Sequence, residues 1–264
     1  MHARSALFDV YGDHLRWRGG VAPVAALVRL LAPLGISVAA VRTGVSRMVR
    51  QGWLAPVRLP EGPGYALTER AERRLDEAHA RIYRTVPTNG PEGGWDGRWH
   101  MLVVSTPLRR SLRGQLEPAL RYLGYAPLSS GVWIAPRHSP ELTAILAGDV
   151  PVQTFTAEAE SDAATLVAQA WDLAPLAEAY HAWTALAREL LEQAGPDPDD
   201  EKAFAVRFRL VHEWRKFLFT DPALPPALLP ADWPGRAAAE LFDAAAQSLR
   251  AKADRFVDSC LDPG

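Results

Sequence analysis

The chain has 264 residues, 48% of them hydrophobic and 23% charged, which excludes a disordered protein and favours two or three folded domains. Cys260 is the only cysteine, so an internal disulfide and a cysteine-based metal site are excluded. The first ten residues lack a signal-peptide core, and no apolar run reaches the ~18–20 residues needed to span a bilayer. We therefore expect a cytoplasmic protein without a membrane partner.

The net charge of −2 conceals a basic N-terminal third and an acidic remainder. Residues 1–85 contain 13 Arg against 7 Asp or Glu, a net charge of +6, which leaves −8 for residues 86–264. Such asymmetry is typical of chains in which one part binds nucleic acid.

Three short helices are predicted at the N-terminus. Ser5–Leu15 forms the first, and the sequence RWRGG that follows it breaks the helix. Pro23 opens the second, which Pro33 and Gly35 close. Ser37 is a good N-cap for the third. Three helices joined by short turns are typical of a helix-turn-helix domain.

The stretch Val38–Leu54 contains the third helix, which Gly52 is predicted to end and which has one apolar and one polar face. Valines and methionine fall in one arc of the helical wheel: Val38, Val41, Val45, Met48 and Val49. The opposite arc predicts the DNA-binding side chains, which are Arg42, Thr43, Ser46, Arg47 and Arg50. Arg, Ser and Thr bind base edges or phosphates in the major groove. Taken alone, the pattern also fits an ordinary surface helix with solvated arginines.

Two short strands, Leu54–Leu59 and Tyr65–Leu67, are predicted to follow, with the turn sequence PEGPG between them. Such a β-ribbon can touch the neighbouring minor groove or backbone, and we assign Arg58 to this contact. Residues 1–67 are thus predicted to be a winged helix-turn-helix DNA-binding domain. A charged helix over Thr68–Thr85 and a Pro- and Gly-rich stretch then form a linker, residues 68–94.

The middle of the chain has the order β-α-β-β-α-β of a ferredoxin-like (Cas2-like) domain, assigned to residues 95–158. The predicted elements are Trp99–Ser105, Pro107–Gly124, Ala126–Ser130, Val132–Ala135, Pro140–Leu146 and Val150–Thr156. Residues 159–264 are predicted to be all-helical, with helices over about Ser161–Leu173, Pro175–Gln193, Asp199–Phe219 and Pro234–Ser259. Asp221–Pro234 carries too many prolines to be helical throughout. The fold class is therefore α+β with several domains.

Catalytic motifs are mostly missing. A Cas2-like metal nuclease places an Asp at the end of its first strand, but here that strand ends in Val104-Ser105-Thr106-Pro107. The sequence has no G-x-S-x-G, P-loop or G-x-G-x-x-G motif, and its seven His residues lack close metal-ligand spacing. We expect no catalytic residue, no cofactor and no bound metal, and keep a nucleic-acid-processing enzyme only as an alternative.

One C-terminal helix carries charges on its apolar side. In Phe204–Thr220, Arg207 and Arg215 project within the apolar arc and His212 lies at its edge. A buried guanidinium requires an anion. The anion is either an internal partner such as Asp221 or Asp200, or a ligand whose aromatic or acyl part contacts Trp214. The predicted ligand-binding residues are therefore Arg207, His212, Trp214 and Arg215.

Several motifs resemble the PaaX-like transcriptional regulators, repressors of phenylacetic acid catabolism. The C-terminal signature is HEWRKFLFTDP from His212 to Pro222, followed by Leu224-Pro225, Leu228-Leu229-Pro230 and Trp233-Pro234-Gly235. The segment that contains the third helix, the predicted recognition helix, also resembles the family. The matching residues are Gly35, Val41-Arg42-Thr43, Ser46-Arg47 and Gly52-Trp53-Leu54. The middle contributes Gly131-Val132-Trp133-Ile134-Ala135-Pro136. The resemblance runs nearly end to end, in the expected order and spacing.

This resemblance implies a homodimeric repressor whose central domain pairs the subunits and whose helical C-terminal domain binds the effector. It implies a palindromic double-stranded operator, read by two helices one DNA turn, roughly 34 Å, apart. It also implies release by an aryl-acyl-CoA such as phenylacetyl-CoA. A regulator of the same fold that senses another acyl-CoA or aromatic signal is the open alternative.

Overall fold

The computed structural model describes residues 1–60, 62–82, 95–105, 110–146 and 152–262. Its α-helices are α1 (Ala3–Val10), α2 (Val24–Leu31), α3 (Val38–Arg50), α4 (Glu69–Ile82), α5 (Arg110–Tyr122), α6 (Leu142–Ile145), α7 (Ala163–Ala170), α8 (Ala174–Ala194), α9 (Asp200–Trp214) and α10 (Pro234–Leu261). Its strands are β1 (Val21–Pro23), β2 (Leu54–Leu59), β3 (Gly62–Leu67), β4 (Arg98–Val104), β5 (Ala126–Ser129), β6 (Val132–Ala135) and β7 (Val152–Glu158).

The N-terminal helices end where the sequence predicts them to end. After α1 the chain continues through a π-helical turn to Leu15, and Gly19 and Gly20 then adopt φ values of 81° and 67°. Only glycine enters this left-handed region at little cost, so the helix breaks there. Gly35, at φ 72°, likewise follows α2 and its final 3₁₀ turn.

A three-stranded antiparallel sheet accompanies these helices, in the order β1-β3-β2. The β2–β3 hairpin is the predicted ribbon, although β3 begins at Gly62 rather than Tyr65. Strand β1 was not predicted, because three residues are too short for a readable alternation. It pairs with β3 and fixes the hairpin to the chain that leads into α2.

The described residues divide into two compact units. One comprises Met1–Arg84, Trp183–Arg215 and Ala237–Gly264, and the other comprises Thr85–Ala182 and Lys216–Arg236. In the first unit, the core of the N-terminal helices also contains side chains of α9 and α10. These are Phe204, Phe208, Ala253, Val257 and Cys260. The segments after residue 159 are thus divided between the two units.

The second unit is built around a four-stranded antiparallel sheet in the order β5-β6-β4-β7. The first strand, β4, lies between β6, the second strand of the hairpin, and β7, the last strand, as the predicted β-α-β-β-α-β arrangement requires. Leu102 and Trp133 lie on the face that packs against α5 and α6. Trp99 and Ile134 lie on the opposite face, where α7 and the Pro-rich segment around Leu224 cover them.

The remaining helices agree with the prediction to within a few residues. Predicted helix Asp199–Phe219 is α9 followed by a 3₁₀ turn from Arg215 to Phe219. The Pro-rich stretch contains only the short 3₁₀ turn Pro226–Leu228. The Pro- and Gly-rich end of the predicted linker, residues 83–94, and the predicted starts of the helix at Pro107 and the strand at Val150 lie outside the described residues. No helix in the described ranges has the length and apolar character of a bilayer span.

Candidate nucleic-acid interface

Helix α3 presents the predicted polar face to solvent. Arg42, Thr43, Ser46, Arg47 and Arg50 are all exposed, while Val41, Val45 and Met48 are buried in the core. Thirteen residues give a helix about 20 Å long, enough to extend along a major groove. The amphipathic division of this helix is therefore confirmed, apart from one position.

That position is Val38, which was predicted to lie on the apolar face and is 46% exposed. It is the first residue of α3, directly after the cap, where the helix has not yet reached the core. Ser37 caps the helix as predicted, since its Oγ accepts a hydrogen bond from the N–H of Ala40 at 3.3 Å.

The arginines of the exposed face have no counter-charge among the described residues. Arg42, Arg47 and Arg50 form no ion pair with any residue in the ranges that the structure describes. Arginines elsewhere in this unit behave differently, because Arg16 and Arg18 bind the carboxylates of Asp76 and Asp258. Unpaired guanidinium groups on one face of a helix are suited to phosphate oxygens and guanine edges.

Close packing holds α3 against α1. A Cβ atom built on Gly44 would lie 2.8 Å from Cδ1 of Leu7, which is fully buried. Gly44 therefore permits the two helices to approach closely at the middle of α3. This contact fixes the orientation of the arginine face relative to the core.

Arg58, the predicted residue of the ribbon, is exposed on β2 opposite Pro63 of β3. It also forms no ion pair within the described part of the chain. The hairpin is anchored from behind, where Tyr11 Oη donates to the carbonyl of Tyr65 at 2.9 Å. The first unit thus carries exposed arginines without an ion pair to any described residue on both α3 and the hairpin.

The four residues predicted to bind a ligand are engaged inside the first unit. Arg207 is 4% exposed, donates from both terminal nitrogens to the Asp13 carboxylate, and donates from Nε to the carbonyl of Ala246 at 3.1 Å. The Trp214 ring stacks on Phe242 with the centroids 4.7 Å apart. Their predicted contact with a ligand stays a prediction.

His212 and Arg215 share one carboxylate. His212 Nδ1 lies 2.6 Å from Asp9 Oδ2, and Arg215 Nη1 lies 2.8 Å from Asp9 Oδ1. Arg215 also donates to Ser5 Oγ at 2.5 Å. Burial raises the pKa of the Asp9 carboxyl, and the hydrogen bond from His212 and the charge of Arg215 act in the opposite direction.

The suggested internal partners, Asp221 and Asp200, were wrong. Asp221 accepts a hydrogen bond from Tyr180 Oη, and Asp200 pairs with Arg255. The true partners, Asp9 and Asp13, lie near and just after the end of α1. Their spacing of four residues in an otherwise apolar helix was the sequence signal that was missed, because two carboxylates on one buried face also need partners.

The described residues contain no group of three His, Cys, Asp or Glu side chains arranged to hold a metal ion. Strand β4 ends at Val104 without a carboxylate, as the sequence indicates.

Comparison with protein families matches three consecutive regions of the chain. A PaaX-like protein model matches residues 2–71, the PaaX protein central Cas2-like domain matches residues 92–169, and the PaaX-like protein C-terminal domain matches residues 171–259. Among curated proteins, the transcriptional repressor PaaX of Escherichia coli (strain K12) is 28% identical over 249 residues. That alignment covers 90% of this chain and 77% of the relative.

A solved structure is similar over nearly the whole length. It is an uncharacterized protein from Mycobacterium tuberculosis, 29% identical, with a TM-score of 0.63. The match covers 97% of this chain and 98% of the other. The overall fold is therefore similar to that of a solved protein.

Proposed function

The chain belongs to the PaaX-like family, and we propose that it is a DNA-binding repressor of a phenylacetate-type catabolic operon. The relative in Escherichia coli is named a transcriptional repressor rather than an enzyme, in agreement with the expectation that this chain is not an enzyme. The observation that carries the proposal is the exposed face of α3, whose arginines form no ion pair within the part of the chain that the structure describes.

In the proposed complex, α1, α2, α3 and the β2–β3 hairpin act as a winged helix-turn-helix. Helix α3 enters the major groove, where Arg47 and Arg50 contact base edges or phosphates and Thr43 and Ser46 add hydrogen bonds. Arg58 contacts the backbone or minor groove beside it. A homodimer would place two copies of α3 on the half-sites of a palindrome, about one helical turn apart.

Release requires a ligand that discriminates between two states. An effector shifts the operator equilibrium only if it binds the DNA-incompetent arrangement more tightly than the operator-bound one. A coupling free energy of ~1–3 kcal/mol would weaken operator binding by roughly 5–150-fold. We propose an aryl-acyl-CoA such as phenylacetyl-CoA in this role.

Fluorescence anisotropy of a DNA fragment from upstream of the protein's own gene tests the proposal. The titration is carried out at two salt concentrations, with phenylacetyl-CoA, free CoA or phenylacetate added. We expect tight, salt-sensitive binding that only the thioester reverses. Equal affinity for this fragment, for fragments upstream of neighbouring catabolic genes and for random DNA would contradict the repressor. Tight operator binding that no thioester reverses would contradict only the effector.

A further inference from the structure

A cavity of about 380 Å³ lies in the second unit, beside the N-terminal half of β4. Its wall combines aromatic rings with basic side chains, among them Trp95, Trp99, His100, Arg137 and His138, and Thr156 of β7 completes this part of the wall. Ligand cavities for small molecules have volumes of roughly 300–1,000 Å³ and combine apolar surface with a few polar groups.

The aromatic part of the wall is arranged edge to face. The Trp95 and Trp99 ring centroids are 4.8 Å apart with an interplanar angle of 63°, and those of His100 and His138 are 5.0 Å apart at 81°. Trp99 is 2% exposed, so its ring is held rigidly. Rigid aromatic rings in these orientations leave edges and faces on which a further planar ring can pack.

The charged groups of the wall differ in whether they already bind another residue of the protein. Arg98 pairs with Glu158 at 3.2 Å, and Asp96 accepts the backbone N–H of Arg98 at 2.9 Å. Arg137 is exposed and forms no ion pair with a residue that the structure describes. Arg137 is therefore the wall's available guanidinium for an anionic group.

His100 contributes a ring rather than a positive charge. Its Nδ1 lies 2.7 Å from Tyr125 Oη, and burial, with the neighbouring His138, lowers the pKa of His100. The imidazole is therefore neutral at pH 7. Planar aromatic surface and an exposed arginine without an ion-pair partner among the described residues together match an aromatic acyl group attached to an anionic carrier.

From these features we propose that this cavity is the effector site, and that it holds the aryl-acyl end of an aryl-acyl thioester while Arg137 contacts the anionic carrier. The assignment rests on the proposed repressor function and locates its ligand in the second unit. It separates the effector from the buried charges around Arg207 and Arg215, which bind carboxylates of the protein itself. A free aryl carboxylate also carries an aromatic ring and a negative charge. The experiment therefore compares the thioester with phenylacetate.

The test uses the full chain and isothermal titration with phenylacetyl-CoA, phenylacetate and free CoA. Arg137→Gln removes the guanidinium, and Thr156→Trp places a large ring into the cavity from an exposed strand position. Arg188→Gln, at an exposed site on α8, is the matched control. We expect phenylacetyl-CoA to bind the wild type and Arg188→Gln equally, Arg137→Gln about tenfold or more weakly, and Thr156→Trp not measurably.

Operator release in the anisotropy assay supplies the second readout. All four proteins should bind the operator equally without ligand. Circular dichroism checks that Thr156→Trp is folded. If Thr156→Trp is not folded, the result with Arg137→Gln decides whether the cavity is the effector site. Wild-type affinity for the thioester in the decisive variants would overturn the cavity and leave the repressor standing. Operator binding by a wild type that never binds the thioester would overturn both the cavity and the proposed effector. Binding of phenylacetate as tightly as the thioester would overturn the role of the carrier.

Discussion

His212 Nδ1 lies 2.6 Å from Asp9 Oδ2, although 203 positions separate the two residues in the chain. This contact, with the neighbouring pair of Arg207 and Asp13, joins α9 to the N-terminal helical segment. Because α1 packs directly on α3 at Gly44, the position of the arginine face depends on how these buried charges are paired. Residues far from the arginine face of α3 are thus part of what orients it.

The first prediction concerns the buried pair of Arg207 and Asp13. Asp13→Asn removes the negative charge and leaves a guanidinium that is only 5% exposed. Loss of one partner of a buried ion pair costs about 3–5 kcal/mol. We expect a loss of this size in the free energy of unfolding, measured by urea titration with tryptophan fluorescence.

Two variants control this measurement. Asp197→Asn breaks an exposed contact with Lys252 and should leave the unfolding midpoint close to that of the wild type. The double variant Asp13→Leu with Arg207→Met should recover much of the lost stability, because it removes both charges. A double variant no more stable than Asp13→Asn would contradict the explanation from an unpaired charge.

The second prediction concerns stability at acid pH. His14 and then Arg18 hold the pKa of Asp254 at about 2, below its ordinary value of 3.8. Because the folded-state pKa is lowered, the stabilisation is fully present above about pH 4 and is lost as the pH falls towards 2. Its size is about 1–2 kcal/mol once solvent screening is included.

Asp254→Asn should therefore be less stable than the wild type at pH 7 and differ less from it as the pH falls from 4 towards 2. Urea titrations at pH 7, 4 and 3 measure the difference. Asp258→Asn is the matched control, because it removes another carboxylate bound to Arg18 and keeps His14 beside Asp254. An unchanged difference between Asp254→Asn and the wild type at all three pH values would show that Asp254 does not carry this dependence.

The sequence predicts local structure here better than long-range pairing. The bounds of α3 follow from Ser37, the valine spacing and Gly52, all of which act within a few residues. The buried position of Arg207 also follows from its place in an apolar arc. Its partner does not, because any Asp of the chain can satisfy a guanidinium and only the tertiary packing brings Asp13 to it. The aromatic cavity was not predicted either, because only the tertiary packing brings the residues of its wall together.

The third prediction concerns the turn after α5. Gly124 adopts φ 85°, and a Cβ there would lie 2.5 Å from the carbonyl oxygen of Pro222. Gly124→Ala combines left-handed backbone strain with a clash against backbone, and we expect a loss of about 2–5 kcal/mol. Gly195→Ala isolates the first effect, because Gly195 has φ 78° with no atom near the added methyl group. Its expected loss is about 1–2 kcal/mol. Equal losses in thermal unfolding would contradict the close approach of Pro222.

The fourth prediction concerns the free arginines of α3. Arg47→Ala removes an exposed cation that forms no ion pair with a described residue, and it leaves the core undisturbed. The fold should therefore survive, while operator binding weakens by about 1–3 kcal/mol if the side chain contacts a base. If the side chain contacts a phosphate instead, the slope of log affinity against log salt concentration should decrease in magnitude by about 1. Arg188→Ala removes an equally exposed arginine from α8 and should change neither quantity. Anisotropy titrations from 50 to about 200 mM salt distinguish the two contacts. Unchanged affinity and slope in both Arg47→Ala and Arg50→Ala would remove α3 from the DNA interface.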